Sequence, residues 1–257
     1  MQVCYEELND VSRYIKNNCH LTLQDHQPKF EDYLRRVSRF RSIDSNGEIL
    51  EIGIGTGWFP ILCRAKGLSC KGLDISSQLV DFARTFGRKY GIEPDVEVAN
   101  IETYDAGRER YDVIIAASVF EHVQNWTDSL KKVYDALKPG GVLFFESTNK
   151  FSFTSGEFAF PLYGWLPDQW RYRLRIRRQG PEIMNLGIDF HQFTYPLLRR
   201  TFRRLGFKQI VDRILLADVN IISSPWRRFL VRVAKRFRLV REIVLLFAGT
   251  TTFVCVK

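Results

Sequence analysis

Between Glu48 and Ser147, short apolar runs alternate with helix-patterned stretches, and this alternation constrains the chain more than any other feature. Glu48–Gly53, Ser69–Asp74, Asp95–Ala99, Tyr111–Ala117 and Val142–Ser147 read as strands. Between them, Trp58–Lys66, a stretch capped by Ser76 or Ser77, and Asn125–Leu137 carry helical spacing. Lys138-Pro139-Gly140-Gly141 stops the last of these. Strands separated by helices form βαβ units, and hence a parallel sheet covered on both faces.

Further along, Pro196–Leu205 reads as a helix, Phe207–Leu216 as a strand, 225–248 as one long helix and Thr250–Val256 as a final strand. The expected fold class is α/β: a Rossmann-like, seven-stranded, mostly parallel sheet with helices on both faces. An N-terminal helical segment, 1–46, precedes the main domain, 47–257. An insertion at 149–192 and a basic amphipathic helix at 225–248 are added to that domain.

The first strand ends in Glu51-Ile52-Gly53-Ile54-Gly55-Thr56-Gly57. Glycines there allow a sharp turn and close approach of a ligand, and the N–H groups opening the next helix favour an anionic group. The dinucleotide fingerprint GxGxxG would need a third glycine where Trp58 stands, which disfavours a nicotinamide enzyme. Asp74 ends the second strand 21 residues after Gly53, where a carboxylate can accept from two ribose hydroxyls.

On these segments, with Tyr111–Ile115, Phe120-Glu121-His122-Val123 and Leu137–Phe145, the chain resembles the class I S-adenosylmethionine-dependent methyltransferases. Among them it is most similar to the ubiquinone-biosynthesis type of small-molecule O-methyltransferase. The resemblance implies S-adenosylmethionine as cofactor. Glu51, Gly53, Gly55 and Gly57 would hold its methionine portion and Asp74 its ribose. Asn100 and Ile101 would flank the adenine, and Ala117 and Ser118 would line the pocket. The related enzymes carry Glu-x-x-Glu-His, whereas this chain has Ser118-Val119-Phe120-Glu121-His122. With the first acid missing, no metal ligand is assigned.

A hydroxyl acceptor needs a base. His191, beyond the fifth strand, is one candidate, against the reading of a structural turn histidine. Glu121 and His122 complete the catalytic candidates, with Glu146 a lesser one; His122 also reads as a hydrogen-bonded residue at a strand–helix junction. His20 and His26 are expected to face solvent. No Asn/Asp-Pro-Pro-aromatic motif and no Pro-Cys nucleophile is present, which disfavours nucleic acid as the acceptor.

Charge divides the chain. Residues 1–150 hold 19 Lys and Arg against 22 Asp and Glu, whereas residues 151–257 hold 19 against 7. The basic half should meet any anionic partner. Within it, Phe151–Gln192 reads either as an apolar lid with phosphate-binding arginines or as a small core with a solvated basic face. In 225–248 apolar residues recur every three or four positions among arginines, which suits the headgroup layer of an anionic membrane or a helix packed on the sheet.

The longest apolar run, Ile243–Ala248, is too short to span a bilayer. The acidic start Met1–Glu7 carries no apolar core of a secretory signal, and the five cysteines form no CxxC pair. The expectation is a cytoplasmic methyltransferase, peripheral on the inner membrane face, acting at oxygen on a small-molecule or lipid-linked acceptor. An RNA ribose methyltransferase and a non-catalytic cofactor-binding scaffold are the alternatives. Neither acceptor identity nor oligomeric state is legible.

Overall fold

The computed structural model describes residues 11–181 and 188–257. Seven strands form one sheet: β1 Glu48–Ile52, β2 Ser69–Asp74, β3 Asp95–Val98, β4 Tyr111–Ala117, β5 Leu137–Thr148, β6 Gln209–Asp212 and β7 Thr250–Val256. Their order is β3-β2-β1-β4-β5-β7-β6, parallel except for β7, which runs antiparallel to both neighbours.

The sheet is buried on both faces, because successive side chains in a strand alternate sides. Leu50, Ile114, Leu143, Phe145 and Phe253 join one core, and Ile49, Val113, Ile115, Phe144 and Val254 join the other. The first core is covered by α5 (Trp126–Ala136), α7 (Tyr195–Leu205), α9 (Pro225–Arg236) and α10 (Arg238–Leu246). The second is covered by α2 (Leu23–Ser38), α3 (Trp58–Ala65) and α4 (Ser77–Arg88). Phe30, Tyr33 and Val37 of α2 are buried there, so the N-terminal segment is part of the sheet's cover.

Local signals set the boundaries. Thr22 and Asp25 form a capping box at the start of α2, and the Ser76 side chain accepts from the Leu79 N–H to cap α4. Two expectations are corrected. The strand expected over Phe207–Leu216 stops at Asp212, whose carboxylate caps the short helix α8, Arg213–Leu216. The single long helix expected over 225–248 is broken at Phe237, whose extended backbone (φ −113°, ψ 113°) separates α9 from α10.

The insertion holds α6, Asp168–Gln179. Its arginines divide: Arg171 and Arg175 are buried, whereas Arg173, Arg177 and Arg178 are exposed. Arg171 Nη1 lies 2.5 Å and Arg175 Nη1 3.2 Å from the fully buried Asp189 carboxylate, which also accepts from Tyr163 at 2.9 Å and Gln192 at 2.6 Å. A small core pinned by a buried charge cluster therefore coexists with an exposed basic face.

Candidate active site

The strand order reverses between β1 and β4, and open α/β sheets bind ligands in the crevice at such a point, outside the C-terminal strand ends. Glu51 is buried near the end of β1, its Oε2 without a partner among the described residues, and burial pushes its carboxyl well above the ordinary range. Gly53, Gly55 and Gly57 follow with φ of 75°, 53° and 76°. At Gly57 a Cβ would lie 2.3 Å from that of Ala83, so only glycine lets the loop seat on α4.

The amides of Gly53, Ile54, Gly55 and Gly57 all bond within the protein. These bonds shape the loop before any ligand arrives. Asp74 Oδ2 accepts from the Gly55 N–H at 3.1 Å and Oδ1 from Ser76 at 3.0 Å. Burial lifts the Asp74 carboxyl to about 6 against these hydrogen bonds.

Asn100 uses its amide oxygen on the Glu102 N–H at 2.9 Å, which turns the side-chain NH2 outward from that bond, and Ile101 is buried beside it. Ala117 is half-buried at the end of β4, and Ser118 is exposed with φ 57°, its N–H donating to Glu146.

Next to these residues stands a second set of groups. Glu121, buried in a turn of 3-10 helix, accepts from Ser147 Oγ at 2.6 Å, and burial raises its carboxyl to about 7. His122 Nε2 lies 3.5 Å from Glu157 Oε2. Burial pulls the His122 imidazole down, but Glu157 and Glu121 outweigh it and leave it above its ordinary value. Donor atoms of Glu121, His122 and Glu157 all lie within 4.8 Å of one another, near enough for one proton or one cation to be shared.

Glu157 comes from the insertion and supplies an acid where Ser118 leaves the motif without one. The sequence reading missed it; its one signal is that it is among only seven acids in residues 151–257. His191 joins this turn from behind: its N–H donates to the Glu121 carbonyl, and Nε2 lies 3.1 Å from the Gln124 carbonyl. A carbonyl only accepts, so Nε2 carries the proton. Burial lowers the His191 pKa. His26 does not simply face solvent but stacks on Trp58, with ring centroids 5.2 Å apart.

A Rossmann-like sheet whose switch point carries an acid, a glycine turn and an acid closing β2 defines the class I S-adenosylmethionine-dependent methyltransferases. The family model of the methyltransferase domain matches residues 23–210, and the chain belongs to that family. It is 30% identical over 104 residues to a ubiquinone biosynthesis O-methyltransferase of Shewanella pealeana, a match covering 40% of this chain and 44% of that protein. A relative of the same name from Parvibaculum lavamentivorans is 26% identical over 154 residues, 56% of this chain and 60% of its own. The matched stretches thus span about half the length of these relatives.

Among solved structures, a methyltransferase from Archaeoglobus fulgidus aligns with a TM-score of 0.54 at 15% identity, covering 96% of this chain and all of that one. A phosphoethanolamine N-methyltransferase of Haemonchus contortus aligns at 0.60 and 15% identity, covering all of this chain and 60% of its own. These two share the fold.

The crevice also fits the cofactor chemically. S-adenosylmethionine carries a sulfonium and an ammonium, and buried carboxylates, with a Glu51 oxygen unpartnered among the described residues, suit cationic groups.

Proposed function

We propose that this methyltransferase acts on a hydroxyl of a small-molecule or lipid-linked acceptor, at the inner face of an anionic membrane. The observation that carries the reading is the Glu121–His122–Glu157 cluster beside the donor acids. Bound S-adenosylmethionine supplies an already electrophilic methyl group, so the protein must align an acceptor and take its proton. Asp74 and Glu51 hold the donor. Glu121, lifted by burial to about 7, is matched to accepting a hydroxyl proton near neutrality. His122 pairs with Glu157 beside it, and His191 fixes the turn that carries Glu121.

The outer surface supports the membrane part. Of the 17 exposed large apolar side chains among the described residues, 13 lie in 151–181 and 221–247. On α10, Val240 and Val244 pack towards the core, while Leu239, Ile243 and Phe247 form a second, exposed stripe at i, i+4 and i+8. Phe247 stacks on Phe153 and Trp165 of the insertion, at 5.4 and 6.2 Å, four residues from Glu157. On α9, Trp226 and Phe229 stand among exposed Arg227, Arg232 and Arg236. Apolar side chains mixed with cations on an outward face suit a headgroup layer. No helix among the described residues is long and apolar enough to cross a membrane.

The test is incubation with methyl-labelled S-adenosylmethionine and either membranes or total RNA. Label in a lipid extract supports the proposal; label in RNA alone replaces it with ribose methylation, and label in neither overturns the membrane acceptor in favour of a soluble acceptor or the scaffold.

A further inference from the structure

Tyr14 stands at the mouth of the crevice and none of the roles above uses it. It belongs to α1, Ser12–Asn18, which crosses the glycine loop. A Cβ on Gly55 would lie 2.7 Å from the Tyr14 hydroxyl oxygen and 3.5 Å from Cζ. The phenol reaches the backbone there only because residue 55 is glycine.

α1 is lightly held. Val11 at its start is buried and Ile15 is half-buried, while Tyr14, Lys16, Asn17 and Cys19 are exposed. A segment with so little buried apolar contact opens at small free-energy cost. The residue as a whole is 47% exposed, but its hydroxyl end lies against the glycine loop, and enclosure there, then Asp74, Glu51 and Glu157, raise the phenol's pKa and keep it neutral. Among the described residues that hydroxyl has no hydrogen-bond partner, although the carboxylates are close enough to act on it.

We propose that Tyr14 is a positioning residue for the methyl donor: α1 is a strap that closes over the glycine loop, and the Tyr14 hydroxyl hydrogen-bonds the loop's occupant. The proposal rests on the donor reading above. It assigns a role to a helix outside the region matched by the family model, which begins at residue 23.

Calorimetric titration of the full chain with S-adenosylhomocysteine tests it, using the parent, Tyr14→Phe, Tyr14→Ala and Asp74→Ala. Loss of one hydrogen bond weakens Tyr14→Phe binding about three- to tenfold, and Tyr14→Ala by more. The ligand-free Tm of both Tyr14 variants stays at the parent value, and ligand protects the α1 amides from hydrogen exchange. Tyr14→Phe binding as tightly as the parent overturns the hydroxyl contact, as does a ligand-free Tm that falls with the affinity. If the parent binds and Asp74→Ala is weakened while both Tyr14 variants are unchanged, the strap alone fails. A parent that binds nothing removes the donor reading and the strap together.

Discussion

On the donor side of the crevice, Asp74 takes its hydrogen bonds from backbone amides of Gly55 and Ser76, in two neighbouring strand–helix turns. On the acceptor side, Asp189 is held by the side chains of Arg171, Arg175, Tyr163 and Gln192, and Glu157 reaches His122 from a different element. The first arrangement is backbone geometry, set by glycines and strand ends; the second is assembled from side chains far apart in the chain. Backbone-built sites tolerate changes around them, whereas side-chain clusters of buried charge depend on every member.

The sharpest break between the halves should come from Asp189→Ala. Removing this carboxylate takes away one of the two carboxylates that the fully buried Arg171 guanidinium bonds, Asp168 being the other, and the one beside buried Arg175. Breaking such a cluster costs about 3–5 kcal/mol, read by urea denaturation. Affinity for S-adenosylhomocysteine in the absence of denaturant should persist; its loss in step with stability would mean the halves are not separable.

Asp74→Ala should do the reverse. Loss of charge-assisted hydrogen bonds weakens S-adenosylhomocysteine about ten- to a hundredfold in calorimetry. Stability should fall less than in Asp189→Ala, because the loss of the acceptor for the Gly55 and Ser76 N–H groups is partly offset by removing a carboxylate whose charge burial disfavours. The sign follows from its raised value of about 6. The native state binds this proton more tightly than the unfolded chain, so stability from this group is present at low pH and lost as pH rises through about 6. On the proposed donor reading, affinity runs the other way, because the ionised form is the one that would accept from the ribose: it should fall as pH drops below about 6, and the dependence should vanish in Asp74→Asn.

The smallest effect on the fold belongs to the outer stripe. Leu239→Ser with Ile243→Ser should change stability by no more than about 0.5 kcal/mol per site, since both side chains face outward. Flotation with anionic vesicles should nevertheless drop clearly. Unchanged flotation would detach the stripe from the membrane and leave the acceptor side without a docking surface.

The same contrast explains what the sequence made legible. Strand alternation, the glycine loop and Asp74 are local patterns, and β1 to β4 lie close to where those patterns put them, whereas β5 begins at Leu137, before the expected Val142, and takes in Lys138–Gly141. The α9–α10 break at Phe237 has no glycine or proline to announce it, and helical spacing continues across it. Arg171 and Arg175 read as members of a basic run, either phosphate-binding or solvated, and neither reading buries them. Four positions apart, they share one helix face, and only the arrival of Asp189 from beyond the helix turned that face inward. The insertion holding Glu157 reads as a lid or as a small core, but neither Glu157 nor Tyr14 is singled out by the pattern of its own segment.

The most direct test of a donor half separable from an acceptor half is one variant measured two ways. Glu121→Gln keeps a side chain able to accept from Ser147 but cannot take a proton from a hydroxyl. S-adenosylhomocysteine should bind this variant as tightly as the parent, while label transfer into the membrane lipid extract falls about a hundredfold or more. Transfer at the parental rate, or affinity lost together with transfer, would contradict the account.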